Sequence, residues 1–276
     1  IVDEAHRLNE KSGLYGNLGD NQVKELIKSA KTTVFFIDED QRVTLSDIGT
    51  LEEITRFADQ LDSRVTVMDL TSQFRCNGSD GYLAWIDQVL QVRETANTTL
   101  DGVDYDFRVF DNPNELREII TKKNRRANKA RLVAGYCWEW KSKKQAASFD
   151  IEFPEHDFKA RWNLDKHGAT WLIAENSVSE IGCIHTCQGL ELDYVGVILG
   201  DDFLIREGRA LTNPSARAKS DRSVRGYKKM LKEDRQRALA MTEMIIKNTY
   251  RTLMTRGMKG CYIYSPDAET RDHFRS

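Results

Sequence analysis

The chain has 276 residues, 40% of them hydrophobic and 9% aromatic, with 41 basic and 43 acidic side chains. That is enough for two modest domains with cores of their own, and a net charge of -2 with only four prolines excludes a disordered tail or a strongly basic nucleic-acid coat protein. No apolar run approaches the roughly 18 residues of a membrane helix, no secretory signal is expected from the charges that follow Ile1-Val2, and five cysteines without a CxxC pair fit a reduced, cytoplasmic protein.

Taken in chain order, short β-branched runs alternate with longer helix-like stretches, the pattern of an α/β fold with a parallel sheet. Strands are predicted at 33–37, 65–68, 107–110, 132–134, 181–185, 194–199 and 261–264. Helices are predicted at 21–30, 79–93 and 113–124, the last opened by Asn112 and Pro113 as cap and first-turn proline. A further helix over 232–256 places Leu239, Ile246, Tyr250 and Leu253 at helical spacing, with Gly257 and Gly260 as stops. Residues 138–178 and 201–230 do not read as regular elements and look like insertions hung on a sheet. Charge is uneven: residues 1–70 carry a net of -6, and residues 203–232 hold nine Lys or Arg against Glu207 and Asp221. A boundary near residue 70 follows, giving 1–70 and 71–276, the second part facing polyanions.

Five stretches carry chemistry. Ile1-Val2-Asp3-Glu4 ends a hydrophobic run in an acidic pair, an arrangement in which Asp3 holds Mg²⁺ or its waters and Glu4 takes a proton from an attacking water; ordinary strand-end turn residues look the same. Phe35-Phe36-Ile37 leads into Asp38-Glu39-Asp40-Gln41, where the Gln41 amide can bond a γ-phosphate or the water without adding charge, or lie on a solvated turn. In Gln73-Phe74-Arg75 the guanidinium of Arg75 suits a γ-phosphate across a cleft, or a surface salt bridge. Ile184-His185-Thr186-Cys187-Gln188-Gly189-Leu190-Glu191 joins two strands through a polar, Gly-containing loop in which Gln188, Gly189 and Glu191 meet a ligand. Its rival is a metal site of Cys183, His185 and Cys187 on one strand face. Last, Arg256 ends a helix, where it points into a cleft or complements the helix dipole.

In this order the five stretches resemble the motifs of superfamily 1 helicases and related P-loop NTPases. More narrowly, Gly135-Tyr136-Cys137-Trp138-Glu139-Trp140-Lys141, Arg161-Trp162-Asn163-Leu164 and Gly182 to Glu191 look like a bacterial family of Schlafen-related DNA/RNA helicase-like proteins. The resemblance covers essentially the whole chain. It implies two RecA-like parallel-sheet lobes with ATP and Mg²⁺ between them. Asp3 and Glu4 then match the Walker B pair, Gln41 the third motif's glutamine, Arg75 and Arg256 the arginines facing the γ-phosphate, and Gln188, Gly189 and Glu191 the fifth motif. The third motif departs from its usual form, having Ile37 where glycine is common. No G-x-x-x-x-G-K-[S/T] loop occurs in the 276 residues, so a first lobe truncated at its N-terminus is expected. The partner implied is single-stranded DNA or RNA. The best candidates to touch it are Trp138 and Trp140 with Lys141, Lys143 and Lys144, then the basic segment with Arg217, Lys219, Arg222, Arg225, Lys228 and Lys229. Trp85, Trp162, Trp171 and Tyr136 offer further stacking surfaces or core packing.

Overall fold

Helix caps and β-branched runs place most elements where their chemistry predicts. A computed structural model describes residues 1–12, 18–70, 75–163, 167, 170–187 and 191–276, with Arg75 described by its backbone alone. In chain order the elements are α1 (Gln22–Lys28), α2 (Leu51–Gln60), α3 (Asp80–Val89), β1 (Asp106–Phe110), α4 (Pro113–Ala127), β2 (Ala130–Ala134), β3 (Ile151–Phe153) and β4 (Phe158–Trp162). They continue with β5 (Glu180–Gly182), α5 (Ile184–Cys187), β6 (Leu192–Ile198), β7 (Phe203–Arg206), β8 (Arg209–Thr212), α6 (Tyr227–Glu233), α7 (Arg235–Met254), β9 (Gly257–Tyr264) and α8 (Ala268–His273). The chain divides into two compact units, Ile1–Ser72 with Arg222–Asn248, and Gln73–Asp221 with Thr249–Ser276.

In the first unit, α1 is capped by Asn21, whose side chain accepts the Val23 amide at 2.9 Å, and α2 by Thr50, which accepts the Glu53 amide at 3.0 Å. Their facing sides bury Val23, Ile54 and Phe57, with Leu8, Phe35 and Ile37 packed alongside. The 33–37 run pairs through a single parallel bridge, Val2 with Phe35, and 65–68 makes no strand pairing among the described residues. Both correct the strands expected there. Val34 and Phe36 lie exposed on the face opposite Phe35, and Val67 and Met68 are exposed as well, so neither run has apolar neighbours on both sides.

The second unit is built on a seven-stranded sheet in the order β1-β9-β6-β2-β5-β4-β3, parallel throughout except for β3–β4. This is the mixed α/β architecture of a RecA-like lobe. Asn112 caps α4 at 2.8 Å from the Asn114 amide, and α4 lays Leu116 and Ile120 against the sheet in a core shared with Leu132, Trp162, Ile181 and Tyr262. Truncating such a fully buried Leu or Ile to Ala costs about 2–5 kcal/mol. The chain leaves β2 towards β5 and leaves β6 towards β9, so the carboxyl ends of these neighbours form the point where an α/β sheet switches winding direction.

Several local expectations need correction. The run 181–185 is not one strand: β5 ends at Gly182, and the Thr186 hydroxyl accepts the Cys183 amide at 2.9 Å, a capping contact that starts α5 instead. Residues 138–178 contain the β3–β4 hairpin, whose Ile151, Phe153, Phe158, Ala160 and Trp162 alternate inward. Residues 201–230 contain the β7–β8 hairpin and the start of α6. Leu239, expected on the buried face of α7, is exposed, whereas Ile246, Tyr250 and Leu253 are fully buried.

Candidate functional site

In the first unit the parallel bridge makes both runs end in the same direction. Val2 donates its amide to Val34 O and accepts that of Phe36, both at 2.8 Å, and Ala5 donates to Phe36 O at 2.8 Å. Asp3-Glu4 and the Asp38–Gln41 turn therefore emerge side by side. Glu4 sits in the left-handed region at φ 51°, an uncommon conformation for glutamate that re-aims the chain into the turn Ala5–Arg7. That turn presses against Gly49, where a Cβ would come within 1.8 Å of Ala5 O, so only glycine fits.

Asp3 is exposed, with Oδ1 accepting the Glu4 amide at 2.9 Å, and Glu4 is partly exposed. Gln41 is buried, and its amide donates to Asp38 Oδ2 at 2.9 Å. A residue not singled out from the sequence links the two stretches. His6 is buried, its Nδ1 accepts the Asp38 amide at 3.4 Å, and its Nε2 lies 3.3 Å from Glu4 Oε2. Burial pulls the His6 pKa below its ordinary value, against the opposing pull of Glu4, Asp38 and Asp47. The neutral ring, with Nδ1 accepting, carries its proton on Nε2, and although Nε2 and Glu4 Oε2 are close and buried, neither makes a hydrogen bond among the described residues. The signal was in plain view, a histidine two places after the acidic pair.

In the second unit, backbone contacts gather three of the expected site positions. Arg256 is buried, its Nε donates to Thr252 O at 3.1 Å, and its carbonyl accepts the Leu192 amide at 2.9 Å, next to the exposed Glu191. The turn Arg75–Gly78 joins them through buried Cys76, whose Sγ lies 3.8 Å from Thr255 O. Gln188 and Gly189 lie outside the described residues. Arg251, in the same stretch as Arg256, pairs with the buried Asp87.

The pair Asp3 and Glu4 suits Mg²⁺, which is commonly held by one or two carboxylates with phosphates and waters completing the shell. Among the described residues no group of three His, Cys, Asp or Glu is placed to hold a metal by itself. Cys183, His185 and Cys187 do not share a strand face. Both thiols are buried, burial pushes the Cys187 thiol up to about 12, and exposed His185 faces Asp221.

Lys141, Lys143 and Lys144 are exposed, and Lys143 lies 4.8 Å from the centre of the partly buried Trp140 ring. Trp138 packs edge-on against Phe153 and accepts the Trp162 indole N–H on its carbonyl at 3.1 Å. Trp85, Trp162, Trp171 and Tyr136 are buried in the core, which withdraws them as stacking surfaces. Arg222 and Arg225 are exposed in the first unit. Arg217, read from the sequence as part of the same basic surface, is instead fully inaccessible beside two carboxylates. No helix among the described residues is long and apolar enough to cross a membrane.

Residues 1–267 match the family model described as Schlafen group 3, DNA/RNA helicase domain. Among curated proteins, the uncharacterized protein YPL245W of Saccharomyces cerevisiae is 26% identical over 293 residues. That alignment takes in 99% of this chain, which spans 63% of the length of the yeast protein.

Proposed function

The chain belongs to the Schlafen group 3 DNA/RNA helicase domain family, and we propose on that premise that it is the catalytic body of an ATP-dependent DNA or RNA helicase or translocase. Asp3 holds Mg²⁺ or its waters, Glu4 takes the proton of the attacking water, and Gln41 contacts the γ-phosphate or that water. Arg75 and Arg256 neutralise charge on the transferred phosphoryl group, and Gln188, Gly189 and Glu191 couple the nucleotide to the bound strand. Mg²⁺, when bound, would offset charge on the β- and γ-phosphate oxygens. His6, held by the Asp38 amide and facing Glu4, is a positioning residue that keeps the acidic pair and the Gln41 turn in register.

The observation that supports this reading best is the parallel Val2–Phe35 bridge, which delivers the acidic pair and the glutamine turn to the same end of two adjacent runs. A second reading is a nucleotide-gated nucleic-acid-binding module that closes without unwinding. A duplex-unwinding assay separates the two. For the first reading, ATP turnover by these 276 residues alone is expected at background. Joined to a segment that supplies a phosphate-cradling G-x-x-x-x-G-K-[S/T] loop, turnover is expected to rise with single-stranded nucleic acid. Glu4→Gln is then expected to lower kcat by about 10²–10⁴-fold, the usual contribution of a general base. An unchanged kcat in Glu4→Gln rejects the assignment.

A further inference from the structure

The loop between β2 and β3 is held from beneath by a buried carboxylate to which the proposed chemistry gives no part, and everything involved lies in the second unit. Asp150 is 2% exposed and accepts three neutral donors. Its Oδ1 takes the Ser142 amide at 2.7 Å, and its Oδ2 takes the Ser142 hydroxyl at 2.5 Å and the Trp162 amide at 2.9 Å. The Asp150 amide donates to Ala160 O at 2.9 Å, so the carboxylate is fixed to β4. Arg161 of the same strand ties down the far side of the loop. Its Nε donates to Ser148 O at 2.9 Å, its Nη2 to Ala147 O at 3.3 Å, and its guanidinium lies 4.5 Å from the centre of the Phe149 ring. Hydrogen bonds to a charged acceptor are the strong kind, and taking one partner away leaves the other buried and unsatisfied. The base of the loop is therefore firm.

What the carboxylate sets is the direction of three lysines. Of residues 141–147 only Ser142 is buried, and Lys141, Lys143 and Lys144 are all exposed. Lys141 O accepts the amides of Lys144 at 3.0 Å and Gln145 at 3.1 Å, one tight turn that brings the three ammonium-bearing residues onto four consecutive positions. Glu152 Oε1 comes within 3.8 Å of Lys141 Nζ, and no acidic residue stands between 141 and 149. The neighbouring indoles are engaged within the fold. Trp138 and Trp140 pack against the core, and Lys143 Nζ lies 4.8 Å from the centre of the Trp140 ring. The surface thus presents positive charge in a set position, in front of rings that already have their contacts. A surface ordered before binding loses less entropy when a polyanion arrives.

We propose that residues 141–149 form a preformed anion surface, with Asp150 as its positioning residue, that grips the sugar–phosphate backbone of nucleic acid and not its bases, an inference that rests on the nucleic-acid partner proposed above. Fluorescence anisotropy of the 276-residue chain tests it, with an oligo(dT) and an abasic deoxyribose-phosphate oligomer of equal length, each over a range of salt. The two oligomers are expected to bind alike, whereas losing a stacked base costs about fivefold or more. Ser142→Ala keeps the carboxylate and removes one of its donors. It is expected to weaken both oligomers and to lower the log–log salt slope by about 0.7, one phosphate contact on a single strand, and Ser142→Thr is expected to restore the parent slope. Asp150→Asn, which leaves fewer acceptors for the same donors, is expected to lower the slope further. If Asp150→Asn shows no cooperative thermal unfolding, it has lost its fold and Ser142→Ala alone decides. Tight binding of oligo(dT) with weak binding of the abasic oligomer, or a slope unchanged in Ser142→Ala, overturns the proposal and leaves the nucleic-acid partner in place. No binding of either oligomer by the parent chain at low salt overturns it together with the partner on which it rests.

Discussion

Asp267 does several jobs with one carboxylate. Its Oδ1 caps α8 by accepting the Thr270 amide at 2.8 Å and hydroxyl at 2.6 Å, and both oxygens receive Arg206 at 2.8 Å. The Thr270 hydroxyl in turn accepts the Ile205 amide at 3.0 Å, which fastens α8 to β7. The Arg206 hydrogen bonds, above all, bring the Asp267 pKa down to about 2, while burial pushes the other way. A folded pKa below the unfolded one gives stability that is present above the unfolded value, near 3.9, and lost as pH falls towards about 2. Asp267→Asn is therefore expected to lower Tm by a few degrees near pH 7, about what 1 kcal/mol does in a chain of this size. The gap to the parent should close as pH falls from about 4 towards about 2; a gap that is constant with pH would show that the ion pair contributes nothing. At this scale the sequence was only partly legible. Asp3, Glu4 and Gln41 could be singled out as candidates because residue type and position after an apolar run form a local pattern. Asp150 could not, because its partners Ser142 and Trp162 stand apart from it in the chain and leave no local pattern.

Among the elements, those with strong local chemistry were foreseeable. Helix α4 has its Asn cap, first-turn proline and apolar stripe, and β1, β2, β6 and β9 are runs of apolar residues bounded by turns. The β3–β4 hairpin escaped because three- and five-residue strands interrupted by Glu152, Lys159 and Arg161 give too short an alternation to stand out. α5 escaped because a capping hydroxyl, not hydrophobic period, decides where β5 stops. The segment between β2 and β3 carries the best nucleic-acid candidates, Lys141, Lys143 and Lys144 beside Trp140. If it tracks a phosphate backbone, replacing all three lysines by Ala should weaken single-strand binding. It should also flatten the log–log salt slope by about 2, at roughly 0.7 per phosphate on a single strand. An unchanged slope would remove this face as the binding surface.

At the scale of the whole molecule, each unit is compact by itself. The first sets Asp3 and Glu4 beside the Gln41 turn, and the second brings the backbones of Arg75, Glu191 and Arg256 together. The proposed function assigns both sets of residues to one ATP-hydrolysing reaction, and that proposal is the claim on which the functional account stands. A double-mutant cycle in kcat tests it most directly, using Glu4→Gln, Arg256→Ala and the pair in a loop-bearing chain with saturating single-stranded nucleic acid. Groups acting on one transition state are strongly non-additive. The account predicts that the double variant turns over no more slowly than about the slower single variant. Losses that multiply in full, as for independent sites, or a kcat untouched by Arg256→Ala, would contradict it.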